Sequence, residues 1–312
     1  MPDVVSVDSL VKRYGDLVAL DHLDLHIASG EVFGLLGPNG SGKTTAIGCI
    51  LQLLAYDKGD IRLFGQEMTP TSYELKRRIG IVPQEVALFE ELNVRENVDY
   101  FCSLYVGDRA RRRQLVDEAI SFVGLERFER FRPKRLSGGL KRRLNIACGI
   151  AHKPELIFFD EPTVAVDPQS RASILEGIAE LNRAGTTVVY TSHYMEEIEQ
   201  ICTRVMIMDH GVSLAQGTPD ELRRTIGTKE KISVECAPVP EAVIAGVRAL
   251  PHVTGASWSD GELRCSCETA EHNLADVIGV LAEGGVAYGR IACEPPTLND
   301  VFLEITGREL RD

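Results

Sequence analysis

The chain has 312 residues, of which 44% are hydrophobic and 26% are charged, and its formal net charge is −12. This length accommodates one large domain and a smaller one, and the negative charge argues against general affinity for nucleic acids. No apolar run approaches the roughly 20 residues that span a bilayer, and the amino-terminal residues lack the features of a signal peptide. We therefore expect a cytosolic protein that does not itself cross a membrane.

Two strands are predicted near the amino terminus, at residues 3–8 and 18–28. The apolar alternation of the second strand changes phase near Asp21-His22, which predicts a turn or bulge there. Tyr14 lies between the two strands. A flat, amphipathic ring in that place is either ordinary surface or a platform on which a nucleotide base stacks.

Residues 37–45 fit the phosphate-loop pattern G-x-x-x-x-G-K-[ST]. The loop follows a short apolar run of strand length at 31–36 and precedes apolar residues at helical spacing, of which Leu54 is the last. The glycines let backbone amides approach phosphate oxygens at the positive end of a helix dipole. A lysine adds charge for the β- and γ-phosphates, and the threonine hydroxyl suits Mg²⁺. The predicted nucleoside-triphosphate residues are Gly37, Pro38, Asn39, Gly40, Ser41, Gly42, Lys43, Thr44 and Thr45.

A helical block interrupts the alternation of strands and helices after the predicted strands at 59–64 and 79–82, the second of which leads into Pro83-Gln84. Residues 76–143 contain 16 of the 34 Lys and Arg but 10 of the 46 Asp and Glu. Most of these charges fit a solvated helical face; a basic rim beside the nucleotide and contact with anionic lipid are the alternatives. The block comprises helical segments from Val94 to Tyr105 and from Arg111 to Val123, and a basic stretch from Arg127 to Arg135.

The segment Leu136–Arg143 closes this block and opens a further amphipathic helix. Ser137 is suited to cap that helix, and Gly138 and Gly139 follow it, so a second helix amino terminus is exposed toward an anion.

Polar side chains end the next two buried strands. The strand at 156–159 ends in Asp160 and Glu161, and the strand at 186–191 leads to His193. Ligands bind at the carboxyl ends of parallel strands. Asp160 is therefore a predicted Mg²⁺ ligand, and Glu161 is placed to polarise a water molecule. Strands at 203–208 and 212–216 and a helix at 220–225 complete this domain.

In this order and spacing the motifs resemble the ATPase of ABC transporters, over residues 3–227. The resemblance implies an α/β P-loop NTPase domain with an inserted helical subdomain, which binds ATP and Mg²⁺ and works as a head-to-tail homodimer. One departure is Leu140, which stands where the family's signature usually has glutamine. The implied site residues are Lys43, Gln84, Glu161 and His193 for catalysis, Thr44, Gln84 and Asp160 for the metal, Tyr14 for adenine, Ser137, Gly138 and Gly139 for the partner's ATP, and Asp167 at the dimer interface.

The carboxy-terminal part predicts a small α+β domain, so that the domains are residues 1–228 and 229–312. The order βαββαβ is that of the ferredoxin-like arrangement. A last helix carries Leu298-Asn299-Asp300-Val301-Phe302, which resembles the tail of ATPases of the daunorubicin-resistance type. Its expected role is dimer support or regulation, and added stability alone is the alternative. The predicted strands are 231–236, 253–258, 262–268 and 286–293, and the helices are 240–249 and 270–283.

Three functions remain open at this point. The resemblance implies the energy-coupling ATPase of an ABC-2-type exporter, peripheral on the inner face of the cell membrane. Residues 85–92 would there contact an integral-membrane permease, and no nucleic acid would be bound. The first alternative is a soluble ABC ATPase that acts on ribosomes or nucleic acid, although such proteins usually carry two cassettes or a coiled-coil insertion. The second is a regulatory module whose ATPase activity has decayed.

Overall fold

The computed structural model describes residues 3–228, 230–268 and 273–307. These divide into two compact units that part between Gly217 and Thr218. Within the described residues, no helix combines the length and the apolar character that crossing a bilayer requires. Residues 1, 2, 229 and 308–312 of the predicted domains, and the first residues of the predicted helix 270–283, lie outside the description.

The first unit contains two sheets and seven described helices. Its strands are β1 (Asp3–Tyr14), β2 (Leu17–Ala28), β3 (Val32–Leu36), β4 (Lys58–Leu63), β5 (Gln66–Glu67), β6 (Ile79–Val82), β7 (Leu156–Asp160), β8 (Thr187–Ser192), β9 (Arg204–Asp209) and β10 (Val212–Gly217). Its helices are α1 (Lys43–Ile50), α2 (Tyr73–Lys76), α3 (Val94–Ser103), α4 (Arg109–Phe122), α5 (Gly138–Ile150), α6 (Pro168–Arg183) and α7 (Met195–Ile201).

The larger sheet has the strand order β10-β9-β3-β8-β7-β6. All its neighbours are parallel except β10, which pairs antiparallel with β9 at one edge. Every residue of β3, β7 and β8 is buried, as expected for parallel strands covered on both faces. Because these strands run the same way, the residues that follow β3, β6, β7 and β8 meet at one edge of the sheet.

The smaller, antiparallel sheet has the order β2-β1-β4-β5, and one hydrophobic core joins its side chains to those of α1 and the larger sheet. The expected bulge is confirmed, because the β1–β2 register shifts around Asp21-His22 and His22 has φ of +50°. The expected position of Tyr14 between two strands is wrong: β1 extends to Tyr14, which pairs with Leu17. Helix α1 ends before Leu54, since the amides of Leu53 and Leu54 both donate to the Gly48 carbonyl.

The predicted helical subdomain is confirmed as α3, α4 and α5, inserted between the neighbouring strands β6 and β7. Asn93 and Glu96 form a capping box at the start of α3, which satisfies two backbone amides. Arg95 pairs with Asp117 and with Glu129 at 2.8 Å, so part of the basic segment is neutralised within the subdomain. The basic stretch forms two short 3₁₀ turns, Glu126–Phe128 and Pro133–Arg135.

The elements of the second unit are α8 (Pro219–Thr225), β11 (Glu230–Cys236), α9 (Glu241–Arg248), β12 (Val253–Ser259), β13 (Glu262–Cys267), α10 (Asn273–Glu283), β14 (Tyr288–Glu294) and α11 (Leu298–Thr306). From β11 to β14 they have the predicted βαββαβ order, with a sheet of antiparallel strands arranged β12-β13-β11-β14. Apolar residues of this sheet pack on α9 and α10 in a core of its own. Cys265 and Cys267 point into that core, where burial raises their pKa values to about 12 and about 11.

The last helix explains why the units part before the expected boundary at residue 228. Helix α8 packs against α11 and therefore belongs to the second unit. A capping box of Thr297 and Asp300 begins α11, and Asp300 also pairs with Lys231 at 3.0 Å. Phe302 is 1% exposed, whereas the adjacent Leu303 is 37% exposed.

Phe302→Ala should therefore destabilise the second unit. Truncating a buried phenylalanine typically costs about 3–5 kcal/mol, because transfer energy is lost and a cavity remains. Urea unfolding followed by the fluorescence of Trp258, the chain's one tryptophan, reports on this unit. Leu303→Ala is the matched control and should cost about 0.5 kcal/mol; equal losses in both variants would contradict the assignment.

Candidate functional site

The loop between β3 and α1 has a backbone that requires glycine. Gly40 and Gly42 have φ of +83° and +104°, in the left-handed region. A Cβ atom on Gly37 would lie 2.3 Å from the carbonyl oxygen of Met208. The glycines hold a tight turn that ends at the amino terminus of α1, where the helix dipole favours an anion.

Lys43 lies at this helix terminus and its side chain is 4% exposed. Its Nζ donates to the carbonyl oxygens of Gly37 at 2.7 Å and Pro38 at 3.1 Å, and lies 3.4 Å from Glu161 Oε1. Burial lowers the pKa of the Lys43 ammonium, and the carboxylate of Glu161 opposes that shift. The charged ammonium group of Lys43 is therefore held inside the phosphate loop by the loop's own carbonyl oxygens.

Asp160 and Glu161 are organised by Thr191, a residue that the sequence analysis did not single out. The Thr191 hydroxyl donates to Asp160 Oδ1 at 2.7 Å and accepts from the Glu161 amide at 2.9 Å. Burial raises the pKa of Asp160, and hydrogen bonds from Thr191 and Thr44 oppose the shift. The only sequence signal was a polar residue at the carboxyl end of an apolar strand.

Side chains that follow neighbouring strands of the larger sheet meet at the Glu161 carboxylate. Gln84, after β6, donates from Nε2 to Glu161 Oε2 at 3.0 Å, and His193 Nδ1, after β8, lies 3.6 Å from Oε1. Lys43 lies on the same carboxylate. Glu161 has φ of +46°, a strained conformation for a non-glycine residue that is typical of functional sites. The structure therefore brings together the four residues predicted for catalysis.

The residues present fit a nucleoside triphosphate and Mg²⁺. Ser41 Oγ and His193 Nδ1 are among the buried polar atoms of the described residues that lack a hydrogen-bond partner. Both lie in this site, where a phosphate oxygen would satisfy a donor. The side chain of Thr44 opposes the rise in the pKa of Asp160, so its hydroxyl lies near that carboxylate. Hydroxyl and carboxylate oxygens together are the hard donors that Mg²⁺ prefers.

Tyr14, the residue predicted to stack on adenine, is 47% exposed at the end of β1, and Lys12 Nζ lies 4.7 Å from its ring centroid. Its ring is accessible to a planar base.

The signature residues, which are the Ser137, Gly138 and Gly139 predicted to contact the partner's ATP, lie at the start of α5 near Asp167 of the same chain. Ser137 caps α5 by accepting from the Leu140 amide at 3.3 Å. A Cβ atom on Gly139 would lie 2.7 Å from Ser170 Oγ and 3.1 Å from Asp167 Oδ2, so this glycine allows the two helix starts to approach. The hydrogen bonds described for these residues do not extend to the phosphate loop of their own chain. Asp167 caps α6 and is exposed.

A second buried carboxylate, Glu197, supports the site, and the sequence analysis missed it. Its Oε2 accepts hydrogen bonds from Thr163 at 2.9 Å, Tyr190 at 2.7 Å and Ser192 at 2.9 Å. It thereby fixes the loop after Glu161 to the strand that leads to His193. An acidic run along a helix gives no signal for this role, because such runs usually face solvent.

Comparison with known proteins decides the family. A family model described as ABC transporter matches residues 20–164, and one described as ATP-binding protein DrrA1-3-like, C-terminal domain, matches residues 217–306. The linearmycin resistance ATP-binding protein LnrL of Bacillus subtilis (strain 168) is 37% identical over 99% of this chain and 100% of its own length. The chain belongs to the ABC transporter family. It is an ATP-binding, ATP-hydrolysing subunit of that family, as predicted.

Further relatives agree with this membership. The daunorubicin resistance ATP-binding protein DrrA3 of Streptomyces coeruleorubidus is 37% identical over 98% of this chain and 97% of its own. The Nod factor export ATP-binding protein I of Paraburkholderia xenovorans (strain LB400) is 35% identical over 100% of both. A solved dimeric ATP-binding cassette with ADP and Pi superposes with a TM-score of 0.63 and 28% identity, over 69% of this chain and 98% of that one. Similarity to exporter subunits along the whole chain favours the transport-powering function over the ribosomal alternative.

Asp160→Asn should stabilise the nucleotide-free protein at neutral pH while abolishing Mg²⁺-dependent ATP turnover. Because burial raises the pKa of Asp160, ionisation of this carboxyl opposes folding above the raised pKa, and the penalty disappears as the pH falls through it. The amide keeps the acceptor for Thr191. Thermal unfolding across acidic to neutral pH should show a stability gain that shrinks on acidification, and turnover should fall about 100-fold or more.

Glu155→Gln is a control in which the change in stability at neutral pH should have the opposite sign. The guanidinium of Arg78 lowers the pKa of Glu155, so this variant should lose a little stability at neutral pH and none at low pH. An Asp160→Asn variant that is less stable than the wild type at neutral pH would contradict the assignment.

Proposed function

We propose that this subunit powers export through a separate membrane permease, by closing and reopening a head-to-tail homodimer with each round of ATP binding and hydrolysis. The observation that carries the proposal is the convergence of Lys43, Gln84 and His193 on Glu161, on the sheet edge that holds the phosphate loop. A family member with this constellation has the parts that hydrolysis requires.

In the proposed complex, Tyr14 stacks on adenine and the loop amides with Lys43 bind the phosphates. Thr44, Asp160 and Gln84 would hold Mg²⁺. When bound, that ion neutralises charge on the β- and γ-phosphates. The Asp160 carboxylate is already oriented for this by its hydrogen bond from Thr191.

Hydrolysis would use Glu161 as the base that takes a proton from the attacking water molecule. Lys43 and His193, whose Nδ1 lacks a hydrogen-bond partner, would hold the γ-phosphate and the charge that develops on it. Gln84 lies on the same carboxylate, where its amide orients that water.

The second half of each ATP site would come from the partner subunit. Ser137 and Gly138 are exposed at the start of α5, where the helix dipole favours phosphate. Asp167 is exposed near them and would lie at the interface between the two subunits. Leu140 is partly buried in the same chain, so the departure at this position leaves the phosphate-facing residues intact.

An aromatic surface beside the loop after Gln84 suits the permease. Phe89 packs edge-on against Tyr100 with ring centroids 4.6 Å apart, and the two side chains are 41% and 43% exposed. The buried Asn97 holds this loop by accepting from the Phe89 amide at 2.8 Å and donating to the carbonyls of Phe89 and Leu92 at 3.1 Å. Exposed aromatic side chains are typical anchors of protein interfaces.

The exported compound belongs, by this proposal, to the class that the relatives' names suggest. Those names print linearmycin resistance, daunorubicin resistance and Nod factor export, which favours a drug-like or lipid-like small molecule. Specificity would then reside in the permease, and the subunit would work at the inner face of the cell membrane.

Glu161→Gln should keep ATP affinity, stabilise the ATP-bound dimer and lower turnover by about 100-fold or more, because it removes the base and leaves the phosphate contacts. Light scattering with Mg-ATP measures the dimer, and phosphate release measures turnover. Lys43→Ala is the comparison variant: it should lose ATP binding and dimer together. Near-wild-type turnover in Glu161→Gln would exclude Glu161 as the base.

The permease proposal predicts that tagged Glu161→Gln, with Mg-ATP, recovers a polytopic membrane protein in matching amounts from detergent-solubilised membranes. Replacing both Phe89 and Tyr100 by alanine should reduce that recovery about tenfold, since both lie on the aromatic surface. Tyr73→Ala, at a residue 66% exposed on α2, is the matched control. Recovery of ribosomes in place of a membrane protein would contradict the proposal.

A further inference from the structure

Arg142, on the first turns of α5, is a buried cation. The residue is 6% exposed, and none of the ion pairs between described residues includes it. Its Nη1 donates to the carbonyl oxygen of Pro83 at 3.0 Å, and its Nη2 to that of Gln84 at 2.7 Å. Most charges of residues 76–143 were expected on a solvated helical face, and the buried Arg142 is an exception to that expectation.

The next turn of the same helix holds the same loop. Asn145 Nδ2 donates to Pro83 at 3.3 Å, and Asn145 Oδ1 accepts from the Ala87 amide at 3.2 Å. Side chains of helix α5 therefore hydrogen-bond to the backbone on both sides of Gln84. Any displacement of α5 must carry this segment along or break several partly buried hydrogen bonds.

In the proposed head-to-tail dimer, the two ends of this connection belong to different ATP sites. Ser137 begins α5 and would contact the partner's ATP, whereas Gln84 hydrogen-bonds Glu161 at 3.0 Å in its own chain's site. A rigid helix and a bidentate guanidinium join them.

We propose that Arg142 is a positioning residue that couples the two ATP sites: when Ser137, Gly138 and Gly139 engage ATP in one site, Arg142 sets Gln84 in the other. The inference rests on the proposed dimer. An arginine suits the task because its planar fork donates to two carbonyl oxygens in fixed geometry, which a lysine cannot reproduce. The backbone of Gln84 is held while its side chain remains on Glu161.

Heterodimers of two differently tagged full-length copies test the direction of this coupling. The parent pairs a wild-type copy with a Glu161→Gln copy, which leaves one active site. That site has the phosphate loop and Gln84 of the first copy and the signature residues of the second. Arg142→Met is then placed either on the first copy or on the Glu161→Gln copy, and ATP turnover is measured over a range of ATP concentrations.

We expect Arg142→Met on the first copy to lower kcat about tenfold with KM within about threefold of the parent, because Gln84 loses its position while ATP binding is untouched. On the Glu161→Gln copy, the change should leave kcat within about twofold of the parent. Arg142→Lys on the first copy should recover part of the loss.

An equal or larger loss when Arg142→Met lies on the Glu161→Gln copy would overturn the inference, because Arg142 would then serve only the signature end of α5. No loss in either heterodimer would also overturn it. Failure of the two parent copies to co-purify through both tags with Mg-ATP would instead overturn the proposed dimer itself, and this outcome is distinguishable because the parent carries no change at Arg142. Thermal unfolding of each variant shows that a measured loss belongs to a folded protein.

Discussion

The buried carboxylate of Glu161 is the feature on which the rest of the site depends. A buried charge is costly unless it is paired and hydrogen-bonded, and here Lys43 and Gln84 supply those contacts. Glu161 also has a strained backbone, with φ of +46°. Such a conformation costs on the order of 1–3 kcal/mol, so the surrounding packing must hold it in place. The fully buried strands β7 and β8 provide that packing.

Parallel strands make this arrangement possible. Since β3, β6, β7 and β8 run in the same direction, residues far apart in the chain end at one edge. A threonine hydroxyl then connects neighbouring strand ends: Thr191 in β8 donates to the carboxylate of Asp160, the last residue of β7, and accepts from the backbone amide of Glu161. The carboxylate of Glu197 makes a second such connection, because it accepts hydrogen bonds from the hydroxyls of both Thr163 and Ser192. The site is therefore a property of the sheet edge rather than of any single loop.

The helical insertion connects this sheet edge to the start of a further helix. Its helix α5 carries Ser137 at one end and holds the Gln84 loop through Arg142, so one helix serves two functional segments. The second unit has a core of its own and a sheet order that fits the βαββαβ arrangement. Its match to the DrrA-like family model distinguishes this chain from an ATPase domain alone.

The sequence by itself determined the features that follow local rules. The phosphate loop depends on glycine backbone angles and adjacent residues, and the strand ends at Asp160 and His193 depend on short apolar runs, so pattern and spacing revealed them. The contacts of Thr191, Glu197 and Arg142 were revealed only by the tertiary structure. Each contacts residues far away in the chain, and a charge in a charged run carries no local sign of burial. The unit boundary moved for the same reason, because α8 packs on a helix about eighty residues further along.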